Sequence, residues 1–180
     1  TRRPWEPGGD EQPIAQPWPL VSPSAIAYAP QLPLPREMTR ADMQRITADF
    51  VAAARRGAEA GFDILELHCA HGYLLSCFLS PLTNRRSDAY GGSLEQRARY
   101  PLEVFAALRA VWPDDKPIAV RLSCHDWAPG GNTADDAVAL ARLFKDAGAD
   151  LVDCSSGQVV AEQQPVYGRM WQTPFADRIR

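Results

Sequence analysis

Apolar positions along the chain fall into two alternating patterns. In "MTRADMQRITADFVAAARRGAEAG" (38–61), Met43, Ile46, Phe50, Ala53 and Gly57 recur every three to four residues, the spacing of one helix face. Thr39, with Asp42 three residues later, opens this helix as a capping box that uses Asp in place of Glu or Gln, and Gly61 stops it. "FDILELH" (62–68) follows, a short apolar run that fits a buried strand. The order then recurs. "SLEQRARYPLEVFAALRAVW" (93–112) reads as a helix capped by Ser93 and Gln96, which Pro101 is expected to kink or break. "PIAVRLS" (117–123) is the next strand. "TADDAVALARLFKDAG" (133–148) is a helix with Thr133 as its cap, acids in its first turn and Gly148 at its stop. "ADLVDCSS" (149–156) is the strand after it.

Strands alternating with helices imply a parallel sheet. Two junctions are near copies, "EAGFDILEL" and "DAGADLVDC", and the strands are apolar on both faces. Both features favour a (β/α)-barrel over an open doubly wound sheet. No GxGxxG follows any strand, which weighs against a dinucleotide-binding domain. A full barrel of eight units takes ~250 residues. The expected fold is therefore α/β, a partial (β/α)8 TIM barrel with about three central βα units of the eight. The first 36 residues are proline-rich and without period, an extended lead-in, so 37–180 would be the barrel part. The chain opens on Thr1 and closes on "FADRIR", which reads as the start of a helix, so a piece of a longer protein is expected.

Composition narrows the function classes. At 180 residues, 46% hydrophobic and 23% charged, the chain can bury a real core. A net charge of −3 with mixed signs argues against a nucleic-acid surface. No apolar run reaches the ~20 residues of a membrane span. Cys69, Cys77, Cys124 and Cys154 form no CxxC and no dense disulfide framework, which points to reduced thiols and a cytoplasmic location.

Candidate chemistry gathers in "ELHCAHGYL" (66–74), which holds two of the three histidines. Side chains alternate along a strand, so Ile64, Glu66 and His68 share one face, and Phe62, Leu65 and Leu67 are assigned to the other. The greasier face should meet the helices, sending His68 inward at the C-terminal mouth, where barrel enzymes place their chemistry. By the same parity Ala119, Arg121 and Ser123 point inward, as do Leu151, Asp153 and Ser155. An inward guanidinium needs an anion, and an ion pair with Glu66 or Asp153 would satisfy it. His71 joins His68 only if the chain turns at Cys69 and Ala70.

The long segment "HCAHGYLLSCFLSPLTNRRSDAYGGSLEQRARY" (68–100) resembles the signature of the Old Yellow Enzyme family, FMN-dependent NADH:flavin oxidoreductases of ene-reductase type. "PIAVRLS" and the earlier "PREMTRADM" also resemble that family, and the likeness runs from about Pro19 onward. "ELHCAHGYL", "DLVDCSSGQV" and "PVYGRMWQTPFADRIR" look most like the C-terminal oxidoreductase domain of anthraniloyl-CoA monooxygenase and salicylyl-CoA 5-hydroxylase type bifunctional enzymes. The resemblance implies FMN as cofactor, NADH or NADPH as hydride donor, and a small-molecule acceptor that is an activated alkene or a dearomatised aryl-CoA ring. His68 and His71 match the pair that hydrogen-bonds the substrate oxygen, Tyr73 the proton donor, and Arg121 the arginine beside flavin N1 and O2. The narrower likeness also implies an FAD monooxygenase domain on the same parent chain. In the loop, Asn84, Arg85, Arg86, Asp88, Tyr90, Gly91 and Gly92 read as structural rather than catalytic.

Two other readings stand beside this one. A metal-dependent barrel hydrolase would use His68, His71 and His125 or a cysteine as ligands, although HxxH is a weak metal signal. An inactive barrel remnant would keep the same residues by descent.

Overall fold

The computed structural model describes residues 19–30 and 32–180; the rest of the proline-rich lead-in lies outside them. The described lead-in holds no helix. It contributes a two-residue strand β1 (Val21–Ser22) that pairs in parallel with β2 (Arg36–Glu37). Helix α1 (Arg40–Glu59) follows, then β3 (Leu65–Cys69), α2 (Leu74–Leu79), α3 (Leu94–Arg109), β4 (Ile118–Ser123), α4 (Ala134–Asp146), β5 (Leu151–Ser155) and α5 (Thr173–Ile179).

Local chemistry explains the helix starts. Thr39 with Asp42, Ser93 with Gln96, and Thr133 with Asp136 each form a reciprocal capping box. Each cap is worth about 1 kcal/mol to its helix. Gly61 and Gly148 follow the ends of α1 and α4 at φ +86° and +101°, the left-handed region that glycine enters without penalty.

Strands β3, β4 and β5 form one parallel sheet in that order. Register sets His68 beside Arg121 and Arg121 beside Asp153. Leu67, Cys69, Ile118, Val120 and Leu122 face the helices and are buried with Tyr100, Phe105, Leu108, Leu140 and Phe144 in a single core. Each such side chain contributes roughly 1.5–3 kcal/mol by leaving water. The opposite face stays open, with Ile64 and Leu151 each 49% exposed. A doubly wound sheet would carry helices on both faces. Helices on one side only are the mark of a sector of a (β/α)-barrel, with the open face as its lumen.

Two sequence expectations need correction. Helix α3 runs unbroken through Pro101. Proline removes one N–H, but Tyr100, Pro101, Val104, Phe105 and Leu108 bury the helix face, and Tyr100 Oη donates to Met43 O at 3.2 Å. Burial of that face outweighs the single lost bond. Phe62 is not on the helix-facing side of a strand. Strand β3 begins three residues later, at Leu65, and Phe62 stands exposed in the preceding turn.

The loop of residues 84–92 is held by its own bonds. Asn84 Nδ2 donates to Phe78 O and Tyr90 O, both at 2.8 Å. Arg86 Nη1 reaches Pro23 O and Met38 O, and its Nη2 pairs with Asp88 at 2.6 Å, which ties the lead-in to the barrel rim.

Candidate active site

The site forms where the three strands end. Parity sends Leu67 and Cys69 toward the helices, so His68 faces the lumen. The chain then turns. Ala70 N donates to His68 Nδ1 at 3.1 Å, and His71 sits at φ +60°, a left-handed conformation that is uncommon for a residue with a Cβ. Its backbone N–H donates to Ser123 Oγ at 2.9 Å, and Ser123 Oγ donates on to Gly157 O at 3.0 Å. The His71 ring meets Ser155 through Nε2 and Oγ at 2.5 Å. One residue on, a Cβ at Gly72 (φ +71°) would lie 2.2 Å from the Gln158 carbonyl oxygen, so only glycine lets the loop after β5 approach this closely.

These turns bring the three sequence candidates together. The His68 and His71 ring centroids lie 5.1 Å apart at 90°, and those of His68 and Tyr73 lie 5.1 Å apart at 67°. Tyr73 begins α2 without using its side chain as a cap, and it is 64% exposed. Burial holds the His68 and His71 imidazoles below the ordinary histidine range, His68 lowers His71 further, and the Arg121 cation adds to both shifts. Both rings are therefore neutral donors at pH 7. His68 accepts at Nδ1, so its proton sits on Nε2.

Arg121 stands one strand over, at the level of His68. It places Nε at 2.7 Å, and Nη2 as well, on Asp153 Oδ2, while Glu66 Oε1 lies 3.3 Å from Nε. The ion pair anticipated from the sequence thus exists with both acids. Asp153 raises the guanidinium's affinity for its proton. Burial pushes the Glu66 carboxyl up, against the pull of Arg121. Among the described residues, Nη1 of Arg121 has no hydrogen-bond partner. Below this level a cavity of about 440 Å³ opens on the lumen side, lined by Ile64, Glu66, Ala119, Leu151, Asp153 and Gln172.

His125 does not join the others. Its ring packs 4.6 Å from Trp127 and 6.2 Å from Phe175, and its Nδ1 accepts from Trp127 N at 2.8 Å. Among the described residues no three His, Cys, Asp or Glu side chains are grouped to hold a metal ion, so the hydrolase reading lacks a ligand set. Sequence reasoning gave Ser123 and Ser155 the right face but no task, and it passed over Gln172, whose Nε2 reaches Ser155 Oγ at 3.4 Å. Lumen parity two residues past Arg121 and Asp153 was the available signal for the serines.

Two imidazoles, a phenol and a guanidinium thus gather at the C-terminal mouth of a parallel barrel sector. Residues 9–177 match the NADH:flavin oxidoreductase / NADH oxidase family, and the chain belongs to that family, the Old Yellow Enzymes. It is 48% identical over 161 residues to the NADPH dehydrogenase of Geobacillus sp. (strain WCH70), covering 89% of this chain and 46% of the relative. The NADPH dehydrogenase of Listeria welshimeri is 45% identical over 161 residues, covering 89% of this chain and 47% of that protein. Among solved structures, a 2-naphthoyl-CoA reductase in complex with 2-naphthoyl-CoA superposes with a TM-score of 0.75 at 30% identity, over 87% of this chain and 25% of that one. Morphinone reductase gives 0.68 at 28% identity, over 88% and 46%. The chain spans just under half the length of the curated relatives it matches.

Proposed function

We propose that the chain is the central part of an FMN-dependent barrel oxidoreductase that passes hydride from NADH or NADPH to an activated alkene or a dearomatised aryl-CoA ring. The observation that carries this reading is the convergence of His68, His71 and Tyr73 at the end of β3, with Arg121 in register beside His68. The residues suit a flavin. Arg121 offers an unpaired donor edge on the lumen face, the chemistry that an electron-rich pyrimidine ring requires. FMN, when bound, supplies the hydride-transfer step.

The chain's own residues do the rest. His68 and His71 donate hydrogen bonds to the acceptor oxygen and draw charge from the double bond. Tyr73, its ring against His68, hands its phenolic proton to the carbon beside the one that is reduced. Arg121 balances negative charge on the cofactor side.

The aryl-CoA class draws support from the 2-naphthoyl-CoA reductase among the structural relatives. It is also in keeping with the resemblance of "ELHCAHGYL" and "DLVDCSSGQV" to the anthraniloyl-CoA monooxygenase type, and with it an FAD monooxygenase domain on the same parent chain. Four free cysteines suit a reducing cytoplasm. No helix among the described residues is long and apolar enough to cross a membrane.

The test is to purify the parent protein, quantify FMN released on denaturation, and follow anaerobic bleaching by NADH and NADPH. Reoxidation by 2-cyclohexen-1-one or by a dienoyl-type aryl-CoA then identifies the acceptor. A colourless protein, or one whose flavin no nicotinamide reduces, would overturn the proposal.

A further inference from the structure

His71 is held by a serine from each of the next two strands of the sheet, its backbone N–H by Ser123 of β4 and its ring Nε2 by Ser155 of β5. The two serines are register partners at the ends of β4 and β5, so their hydroxyls arrive at one level of the barrel mouth. Counting protons decides which form of the ring this contact selects. Gln172 sets its side-chain amide 3.4 Å from Ser155 Oγ. Ser155 is buried, and burial disfavours a hydroxyl proton without an acceptor. Among the described residues, the acceptor within reach of that proton is His71 Nε2. Neutral His71 then carries its own proton on Nδ1, the one ring nitrogen that Ser155 leaves free. His68 is fixed the other way, because its Nδ1 accepts from Ala70 N and its proton lies on Nε2.

We propose that Ser155, backed by Gln172, is a positioning residue that selects the Nδ1–H tautomer of His71, so that the acceptor oxygen meets Nε2–H of His68 and Nδ1–H of His71. The assignment of that oxygen rests on the function proposed above; the tautomer does not. With the opposite tautomer, Nε2–H would be taken up by Ser155 and His71 would present a lone pair to an electron-rich oxygen, which repels it.

The experiment is long-range ¹H–¹⁵N NMR of histidine-labelled, flavin-loaded parent protein near pH 7.5. The expected pattern is Nδ1–H for His71 and Nε2–H for His68. Ser155→Ala removes the hydroxyl and should give His71 a mixed or Nε2–H signature. It should also slow 2-cyclohexen-1-one reduction roughly tenfold, the worth of one hydrogen bond. Ser155→Thr keeps the hydroxyl and should restore both the signature and the rate. An Nε2–H signature for His71 in the unsubstituted protein, or an unchanged tautomer in Ser155→Ala, overturns the assignment. If Ser155→Ala does not fold, the unsubstituted spectrum decides alone. If no acceptor is turned over, the functional proposal fails while the spectra still decide the tautomer.

Discussion

Arg121 on β4 and Asp153 on β5 are register partners, and the guanidinium sets both Nε and Nη2 on a single carboxylate oxygen of that partner. This one-sided grip leaves Nη1 free toward the lumen and makes Arg121 both an ion-pair member and a candidate cofactor contact. The two roles separate experimentally. Arg121→Met in the parent protein should lower the flavin reduction potential, because a cation favours the reduced, more negative form. Asp153→Asn removes a negative charge from the same place and should raise it. Both should cost at most about 1 kcal/mol of stability, since the pair is partly open to water. Spectroelectrochemistry reads the potential and urea titration the stability. A potential unmoved by Arg121→Met would reduce Arg121 to a structural partner of its two acids.

The histidines make stability depend on pH. His68 and His71 titrate lower in the folded protein than the unfolded value of about 6.5. Between those values the unfolded chain binds more protons, so their contribution is present above about pH 6.5 and is lost as pH falls through the folded values. Glu66 acts in the opposite sense. Its folded pKa is raised above about 4.5, so its contribution is held at lower pH and lost as pH rises through the folded value. The urea midpoint should therefore fall from pH 7.5 to 5.5, less in the His68→Asn/His71→Asn double variant, and the fall continued toward pH 4.5 should be steeper in Glu66→Gln, which lacks the group held at lower pH. Identical slopes in all three proteins would remove these groups as the cause.

Much of this arrangement was legible in the residues, for physical reasons that can be named. Helices α1, α3 and α4 announce themselves by period and capping boxes, and strand parity alone placed His68, Arg121 and Asp153 in the lumen. Helix α2 was missed because "LLSCFL" is apolar on nearly every side and so carries no helical period. Pro101 misled because its local penalty is visible in sequence and the packing that overrides it is not. The turn at His71 depends on a left-handed residue with a side chain, held by serines 52 and 84 positions away. No local pattern encodes that.

Gly72 gives a sharp test of how tightly the mouth is built. Gly72→Ala would force a Cβ into the Gln158 carbonyl and hold alanine at positive φ. The backbone conformation alone costs about 1–2 kcal/mol, and the overlap must move the loop after β5. A melting temperature within error of the unsubstituted protein would show that this approach is looser than described.

The open face predicts the behaviour of residues 1–180 produced by themselves. Ile64 and Leu151 lie half exposed on the lumen side, and β3 and β5 are edge strands among the described residues. Such edges template association. Light scattering after gel filtration should show self-associated material with little or no bound FMN. A monodisperse monomer with stoichiometric FMN would contradict the barrel-sector reading.

Tyr73 offers the most direct test of mechanism. Its ring packs on His68, and its exposed hydroxyl makes no hydrogen bond within the described residues. Tyr73→Phe should therefore change stability by less than about 0.5 kcal/mol, as exposed substitutions generally do. The proton it supplies is needed only when the double bond is reduced, and hydride transfer from the nicotinamide to the flavin does not require it. Loss of a general acid typically costs ~10²–10⁴-fold. Stopped-flow measurement of the two half-reactions should then show acceptor reduction slowed by about that factor and flavin reduction near normal. His68→Ala and His71→Ala should differ, weakening acceptor binding as well as rate, because each removes a donor that holds the oxygen in the ground state too. Equal slowing of both half-reactions by Tyr73→Phe, or of neither, would take Tyr73 out of the chemistry and leave the proton to solvent.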